Sequence, residues 1–374
     1  MPEGIRFDII NPYPIITVGR RCSSVRRALV LAGGGARGAY QVGMLQELVL
    51  NRGLDFQIIR GVSVGALNAA FLAQAPSKSD SLSELRTKVE ILREVWMEEI
   101  EGARSVYGKR EGLLGLAGGA DSLYSLDPLK QLIKKNVSLK ALRKSGRNFA
   151  VGTVSLISGT YKEWNPKDRH FVEKILASAS IPVVFPYVDL KTDKDVLVDG
   201  GVRNITPLSS AFDANPDEIY ILLTSRLVRE GSDFPASGVM EHTYSQWRDN
   251  WLGTKIKGLD VLKRCVEILT DEVYLEDIRG ALQWNEMAEG IIELDQIQAK
   301  HSIPNGVNRA IQKVVRKMTK VGKRYAPLFV LAPREWYGEE NDATEFSAAL
   351  IRRAIEHGRA VAADPRLWLW PPMR

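Results

Sequence analysis

The 374-residue sequence holds only two cysteines, Cys22 and Cys265. That is too few for a disulfide framework, and their spacing holds no metal. A reduced, cytoplasmic setting is the expectation. No run of about 18 apolar residues occurs, which excludes a membrane-spanning helix. Residues 1–27 contain no uninterrupted apolar stretch of the kind a signal peptide carries, so none is expected. Low-complexity tracts and internal repeats are also missing, and nothing points to disorder. What is present is the composition of a globular protein, 45% hydrophobic and 26% charged, with 31 glycines that suit several tight loops. The net charge of +6 leans toward anionic partners such as an acidic lipid surface. No other feature calls for nucleic acid, and none is expected as a partner.

Residues 1–26 read as an extension punctuated by Pro12 and Pro14. Residues 28–32 form a short buried strand pattern running into Gly33-Gly34-Gly35-Ala36-Arg37-Gly38, after which 39–50 has helical spacing and Gly53 is a stop. The unit recurs: a strand over 56–60, a turn Gly61-Val62-Ser63-Val64-Gly65, and a helix from Ala66. Further along, 82–102 and 126–142 read as helices, 149–155 as a strand, and 171–178 as a helix ending near Pro182. Residues 196–198 form a strand leading into Asp199-Gly200-Gly201, and 218–224 is again strand-like. Residues 240–300 are mostly helical, 328–331 is a late strand, and 345–360 a final helix. Strand, glycine loop and helix in alternation predict an α/β fold with a mainly parallel central sheet flanked by helices. The expected organisation is a catalytic core over 27–225, with 226–374 a helical elaboration completing the same domain.

Three loops carry candidate chemistry. Gly61 to Gly65 fits Gly-x-Ser-x-Gly between a strand and a helix. There a serine on a sharp turn exposes its hydroxyl, and the helix N-terminus favours negative charge beside it. Gly33, Gly34, Gly35, Arg37 and Gly38 form the second loop, whose functional reading is an oxyanion hole of bare amides. Arg37 either braces that loop through backbone carbonyls or attracts an anionic head group. The loop also satisfies the dinucleotide pattern Gly-x-Gly-x-x-Gly, the basis of an alternative reading as a nucleotide-binding regulatory protein. That pattern wants an acid ending the second strand; Asp55 precedes the strand, and the serine turn ends it. In the third loop, Asp199 stands where a buried strand emerges. It is either a general base beside a serine hydroxyl or an ordinary Asp-Gly turn.

Taken together and in this order, the three loops resemble the patatin-like phospholipase family, whose pattern is Gly-Gly-Gly-x-Arg/Lys-Gly, Gly-x-Ser-x-Gly and Asp-Gly-Gly/Ala. The segment Ala177-Ser178-Ala179-Ser180-Ile181-Pro182 and the segment Asn204-Ile205-Thr206-Pro207-Leu208 are similar as well. The resemblance implies a three-layer α/β/α patatin-like fold and a Ser63–Asp199 dyad, with Gly34, Gly35 and neighbouring amides as oxyanion hole. It further implies an acyl-serine intermediate, no cofactor and no metal. The substrate implied is a lipid ester, phospholipid in particular, with transient contact to an anionic membrane surface.

A conventional Ser-His-Asp esterase is the alternative enzyme. His242, His301 and His357 follow Asp199 as that order requires, whereas His170 precedes it. All four sit in polar or helical stretches, which favours solvated or structural roles. In that fold, moreover, the glycine loop usually lies further upstream than the 28 residues separating Gly35 from Ser63. Three segments are candidates for lipid contact: the amphipathic basic stretch 311–325, the apolar stretch 112–117, and Leu367-Trp368-Leu369-Trp370. The alternative for each is burial, and for 311–325 the favoured reading is a surface helix that packs its apolar stripe on the core and solvates its lysines.

Overall fold

The apolar runs become strands because side chains on both of their faces find cover. A computed structural model describes residues 25–78, 81–109, 121–228, 236–237, 258–301, 304–318, 325–334 and 345–368. Its main sheet contains β1 (Arg27–Leu31), β2 (Ile58–Val62), β3 (Asn148–Ser155), β4 (Tyr161–Trp164), β5 (Val188–Leu190), β6 (Asp195–Asp199), β7 (Glu218–Leu222) and β8 (Leu328–Leu331). The strands run in the order β8-β7-β1-β2-β3-β6-β5, with β4 also on β3. Neighbours from β8 to β3 are parallel, whereas β4, β5 and β6 join antiparallel.

Alternate residues of each strand enter different cores, as a two-residue side-chain period requires. Leu29, Leu31 and Ile59 face one core, together with α1 (Gly38–Leu45), α2 (Val64–Leu72) and α3 (Ser81–Glu94). Ala28, Val30 and Ile58 face the other, with α7 (Leu208–Asp213) and α8 (Gly258–Lys300). On the first side lie also α4 (Asp127–Asn136), α5 (Leu139–Lys144), α6 (Phe171–Ser178) and α10 (Ala348–Ala363); α9 is Asn305–Met318. The architecture is thus three-layered, and the parallel strands read as continuous apolar runs because both faces are buried.

Helix α10 seats across α1 with almost no side chain between them. A Cβ on Gly43 would lie 1.9 Å from the Ile355 carbonyl oxygen, and one on Gly358 would lie 2.1 Å from that of Tyr40. The C-terminal segment therefore supplies both the outer strand β8 and a helix of the first layer.

The structure refines several expectations. The helix expected over 126–142 is two helices, because Ser138 interrupts it and caps α5, accepting the Ala141 N–H at 3.3 Å. The region 240–300 contributes one helix over 258–300. Strands β4 and β5 were not expected, because four and three residues are too short for an alternating pattern to stand out. In α9 the stripe that would pack on the core leaves Val314 55% exposed. Trp368 does not project as an anchor: it packs edge-on against Tyr220 and Phe329, and its Nε1 donates to the Val361 carbonyl at 3.2 Å. The candidate segment 112–117, Leu369, Trp370, Cys22 and His242 lie outside the described residues. Among the described residues, no helix is long and apolar enough to cross a membrane.

Candidate active site

Strand β3 is longer than its neighbour β2, and two strands share one of its edges. Backbone N–H groups of alternate residues point to the same edge of a strand. The Asn148 N–H goes to Gln57 O and the Leu156 N–H to Val196 O, while the Ser155 N–H points the other way, to Thr160 O. So β2 occupies the first part of this edge, with Val62 opposite Gly152, and β6 occupies the last part, with Asp199 opposite Thr153. The two strands run toward each other and end at adjacent positions of β3. Ser63 and Asp199, each the last or next residue of its strand, are delivered to that junction. A carboxylate 136 positions downstream in the sequence thereby meets the serine.

Ser63 sits at φ 56° and ψ −132° as the residue preceding α2. A non-glycine residue there carries about 1–3 kcal/mol of strain, sustained only by its surroundings. Those surroundings are tight. A Cβ on Gly61 would lie 2.4 Å from the Gly65 oxygen, and one on Gly65 would lie 2.1 Å from the Leu31 oxygen. The glycines of the turn are therefore required by backbone approach. The elbow is held by Ser178, fully buried at the end of α6: its Oγ accepts the Ser63 N–H at 3.0 Å and donates to the Gly152 carbonyl at 2.6 Å. Two residues on, the Ser180 carbonyl accepts the Asp199 N–H at 2.9 Å. The segment 178–180 clamps both ends of the junction.

Asp199 is 4% exposed and Ser63 5%. Burial pushes the Asp199 carboxyl up to about 7, against the opposing pull of the Ser63 hydroxyl and the Gly201 N–H. Of these two donors only Gly201 makes a bond of full length and angle, 2.7 Å to Oδ1. Oδ2 is buried with no hydrogen-bond partner. A buried acceptor left open beside a hydroxyl is placed to take that hydroxyl's proton.

The Gly33–Gly38 loop lies against the same point: a Cβ on Gly33 would be 3.0 Å from the Ser63 Cβ and 3.0 Å from Ile205. Three of its expected donors are taken up by backbone carbonyls, two of them within the loop. The Gly33 N–H goes to the Ile205 carbonyl and the Arg37 N–H to that of Gly34, each at 3.2 Å, and the Gly38 N–H goes to the carbonyls of Gly35 and Ala36. The N–H groups of Gly34 and Gly35 have no protein acceptor among the described residues. Gly34 adopts φ 151°, with Thr224 packed where a side chain would be and bonded to the Gly33 carbonyl. The Arg37 guanidinium donates to the Gly34 carbonyl at 3.2 Å and to Ser225 Oγ at 3.4 Å, so it braces the loop.

Sequence reading missed a second brace. Asp277, in the middle of α8, accepts the N–H groups of Ile205 (3.1 Å) and Thr206 (2.9 Å) on one oxygen, Oδ2. In the orientation that satisfies its neighbours, the Asn204 amide nitrogen reaches the same oxygen at 3.0 Å. Ile205 in turn touches Gly33 and Gly201, joining two of the site loops. No motif flags Asp277, whose role exists only through folding. Ser178, by contrast, lies within the similar segment 177–182.

The rival readings find no comparable geometry. His357 Nε2 accepts the Arg334 N–H at 2.9 Å, and His170 pairs with Thr192 at 2.8 Å. No histidine is among the groups acting on Asp199. Asp55, the acid a dinucleotide site would need, is paired with Arg147 at 2.8 Å and accepts from Ser81. Among the described residues no cluster of His, Cys, Asp and Glu could hold a metal ion.

A strained serine elbow, a glycine loop with open amides and a buried carboxylate thus converge at one end of the α/β sheet. Residues 29–212 match the family described as Patatin-like phospholipase. Those residues, the core of this chain, are similar to that family, which is one of lipid hydrolases. No curated protein matches the chain. Among solved structures, VipD from Legionella pneumophila is similar at 14% identity and a TM-score of 0.36, covering 92% of this chain and 67% of that one. The complex of full-length SpcU with full-length ExoU from the type III secretion system of Pseudomonas aeruginosa gives 15% identity and a TM-score of 0.28, over 92% and 69%. Likenesses of this size define neither substrate nor partner.

Proposed function

We propose that the protein hydrolyses acyl esters of lipids, phospholipids or lysophospholipids, with Ser63 as nucleophile and Asp199 as general base. The observation that carries the reading is the meeting of β2 and β6 end to end on one edge of β3. It sets a strained serine beside a carboxylate whose Oδ2 is open. Ser63 Oγ attacks the ester carbonyl carbon while its proton passes to Asp199. The resulting oxyanion is met by the open amides of Gly34 and Gly35 and by the N-terminus of α2; one such donor is worth about 2.7–4 kcal/mol in the transition state. The alcohol leaves with the proton from Asp199, which forms the acyl-serine. Water then attacks the acyl carbon, gives its proton to Asp199, and the fatty acid departs as Ser63 Oγ is reprotonated. The scheme balances without a metal or an organic cofactor. A lipid substrate places the working enzyme in transient contact with an anionic membrane surface, here the inner face of a cytoplasmic membrane.

Reaction with a fluorophosphonate probe tests the assignment. Labelling is expected on wild-type protein, absent in Ser63→Ala, and slowed at least about a hundredfold in Asp199→Asn, the lower end of the range for general base catalysis. Labelling that persists in folded Ser63→Ala would sink the proposal.

A further inference from the structure

Eight large hydrophobic side chains are exposed among the described residues, and five of them lie on three neighbouring loops around the junction of β2 and β6. Leu156 and Ile157 follow β3 where it runs on past the Ser63 level, and are 54% and 70% exposed. Val202 stands three residues beyond Asp199, and Val183 and Tyr187 belong to the loop that follows the Ser180 clamp. The loops are joined: Arg203 Nη1 donates to the Gly159 carbonyl at 2.7 Å, the Leu156 N–H goes to Val196 O, and Val188 pairs with Leu197 on the far side of β6. Because β3 and β5 run the same way, the turns at 156–160 and 191–194 protrude together at the end of the sheet beyond the serine.

Exposed apolar side chains scattered singly need no explanation, but a set gathered around one site marks a surface for something apolar. The charge around this set has one prevailing sign. Lys191, Lys194 and Arg203 are exposed. Of the nearby acids, Asp193 is tied to the buried Lys174 at 3.4 Å and Asp195 to Lys162 at 2.8 Å; Asp189 is exposed. Apolar tips ringed by lysine and arginine match a bilayer bearing anionic head groups, in which the tips enter the acyl boundary and the cations stay at head-group level. We propose that this face, with Leu156 and Ile157 at its tip, seats the protein on an anionic lipid surface and brings the β2–β6 junction to the membrane. The proposal rests on the reading that the site cleaves lipid esters, and it assigns the docking to these loops rather than to α9 or the C-terminus.

Binding is measured without turnover, in the Ser63→Ala background, by co-sedimentation with phosphatidylcholine vesicles with and without phosphatidylserine. Ile157→Asp is expected to weaken binding about tenfold or more, since it removes a membrane-buried side chain of the usual transfer energy. Lys191→Glu with Lys194→Glu is expected to weaken binding only where phosphatidylserine is present, and added salt to do the same. With Ser63 restored, the ratio of vesicle turnover to soluble short-chain ester turnover is expected to fall in Ile157→Asp. Binding unchanged in these variants, or lost instead in Val314→Asp on α9, would overturn the docking face. Vesicle binding that responds as expected, in a protein with no Ser63-dependent ester turnover, would overturn the hydrolase reading and leave the docking face standing.

Discussion

Ser178 commits both of its hydrogen bonds to the junction, and removing them isolates its consequences. In Ser178→Ala the Ser63 N–H and the Gly152 carbonyl lose a buried partner, at about 1–3 kcal/mol for each group left unsatisfied. The expected outcome is a lower denaturation midpoint and fluorophosphonate labelling slowed between about tenfold and a hundredfold as the elbow relaxes. A variant that is destabilised yet labels at the wild-type rate would limit Ser178 to a structural role. Asp199 supplies a pH test. With its carboxyl pushed up to about 7 by burial, the base is protonated below that pH, so kcat/KM is expected to rise with pH to a plateau, with a midpoint near 7. The stability sign is opposite. The folded pKa stands above the ordinary carboxyl value of 3.8, so the folded state holds the extra proton between the two values. The stability this contributes is complete below the unfolded pKa and lost as pH rises through about 7. Asp199→Asn, which cannot ionise, is expected to gain in melting temperature over wild type on the alkaline side of pH 7. Thermal melts across pH check this, and a gain confined to acid pH would contradict it.

At the level of elements, the coupling runs from α8 to the site through one carboxylate. Asp277 holds the backbone of Ile205 and Thr206, and Ile205 holds Gly33. Burial pushes Asp277 up to about 7 against the pull of these same N–H donors. Asp277→Ala is expected to lower kcat on a soluble ester with KM within about twofold, as befits a group that positions the loops without touching substrate. Asp277→Asn keeps a carbonyl oxygen for the two N–H groups and is expected to recover most of the rate. Because asparagine does not titrate, a midpoint near 7 that survives in this variant belongs to Asp199. Equal loss in both variants would count against positioning through these hydrogen bonds.

On the scale of the whole molecule, the family match ends at residue 212, but the sheet does not. Strand β8 covers the outer edge of β7 from Leu328 to Leu331, and α10 lies against α1 through Gly358 and Gly43. A fragment of residues 27–225 would expose that edge and the face of α1, and is expected not to fold. Circular dichroism and amide exchange read this directly; a cooperative melt of the fragment would show that the C-terminal segment is an accessory. Gly358→Val probes the same contact in the full chain and is expected to lower the melting temperature, since its Cβ meets the Tyr40 backbone and not a movable side chain.

Much of this was legible without coordinates. The runs at 28–32, 149–155 and 328–331 announce strands by local pattern, and the turn Gly61 to Gly65 announces an elbow because only glycine tolerates backbone at van der Waals contact. Local chemistry likewise singled out Asp199, at a strand end. The tertiary structure alone decided that β6 runs antiparallel into the same edge of β3 as β2, because edge sharing is a property of register between distant segments. It alone decided which amides of the glycine loop stay open, since Ile205 and Thr224 arrive from other parts of the chain. Asp277 and the exposed tip at Leu156 and Ile157 were beyond reach for the same reason: a carboxylate on a long helix and two apolar residues after a strand carry no signal until packing shows what each of them faces.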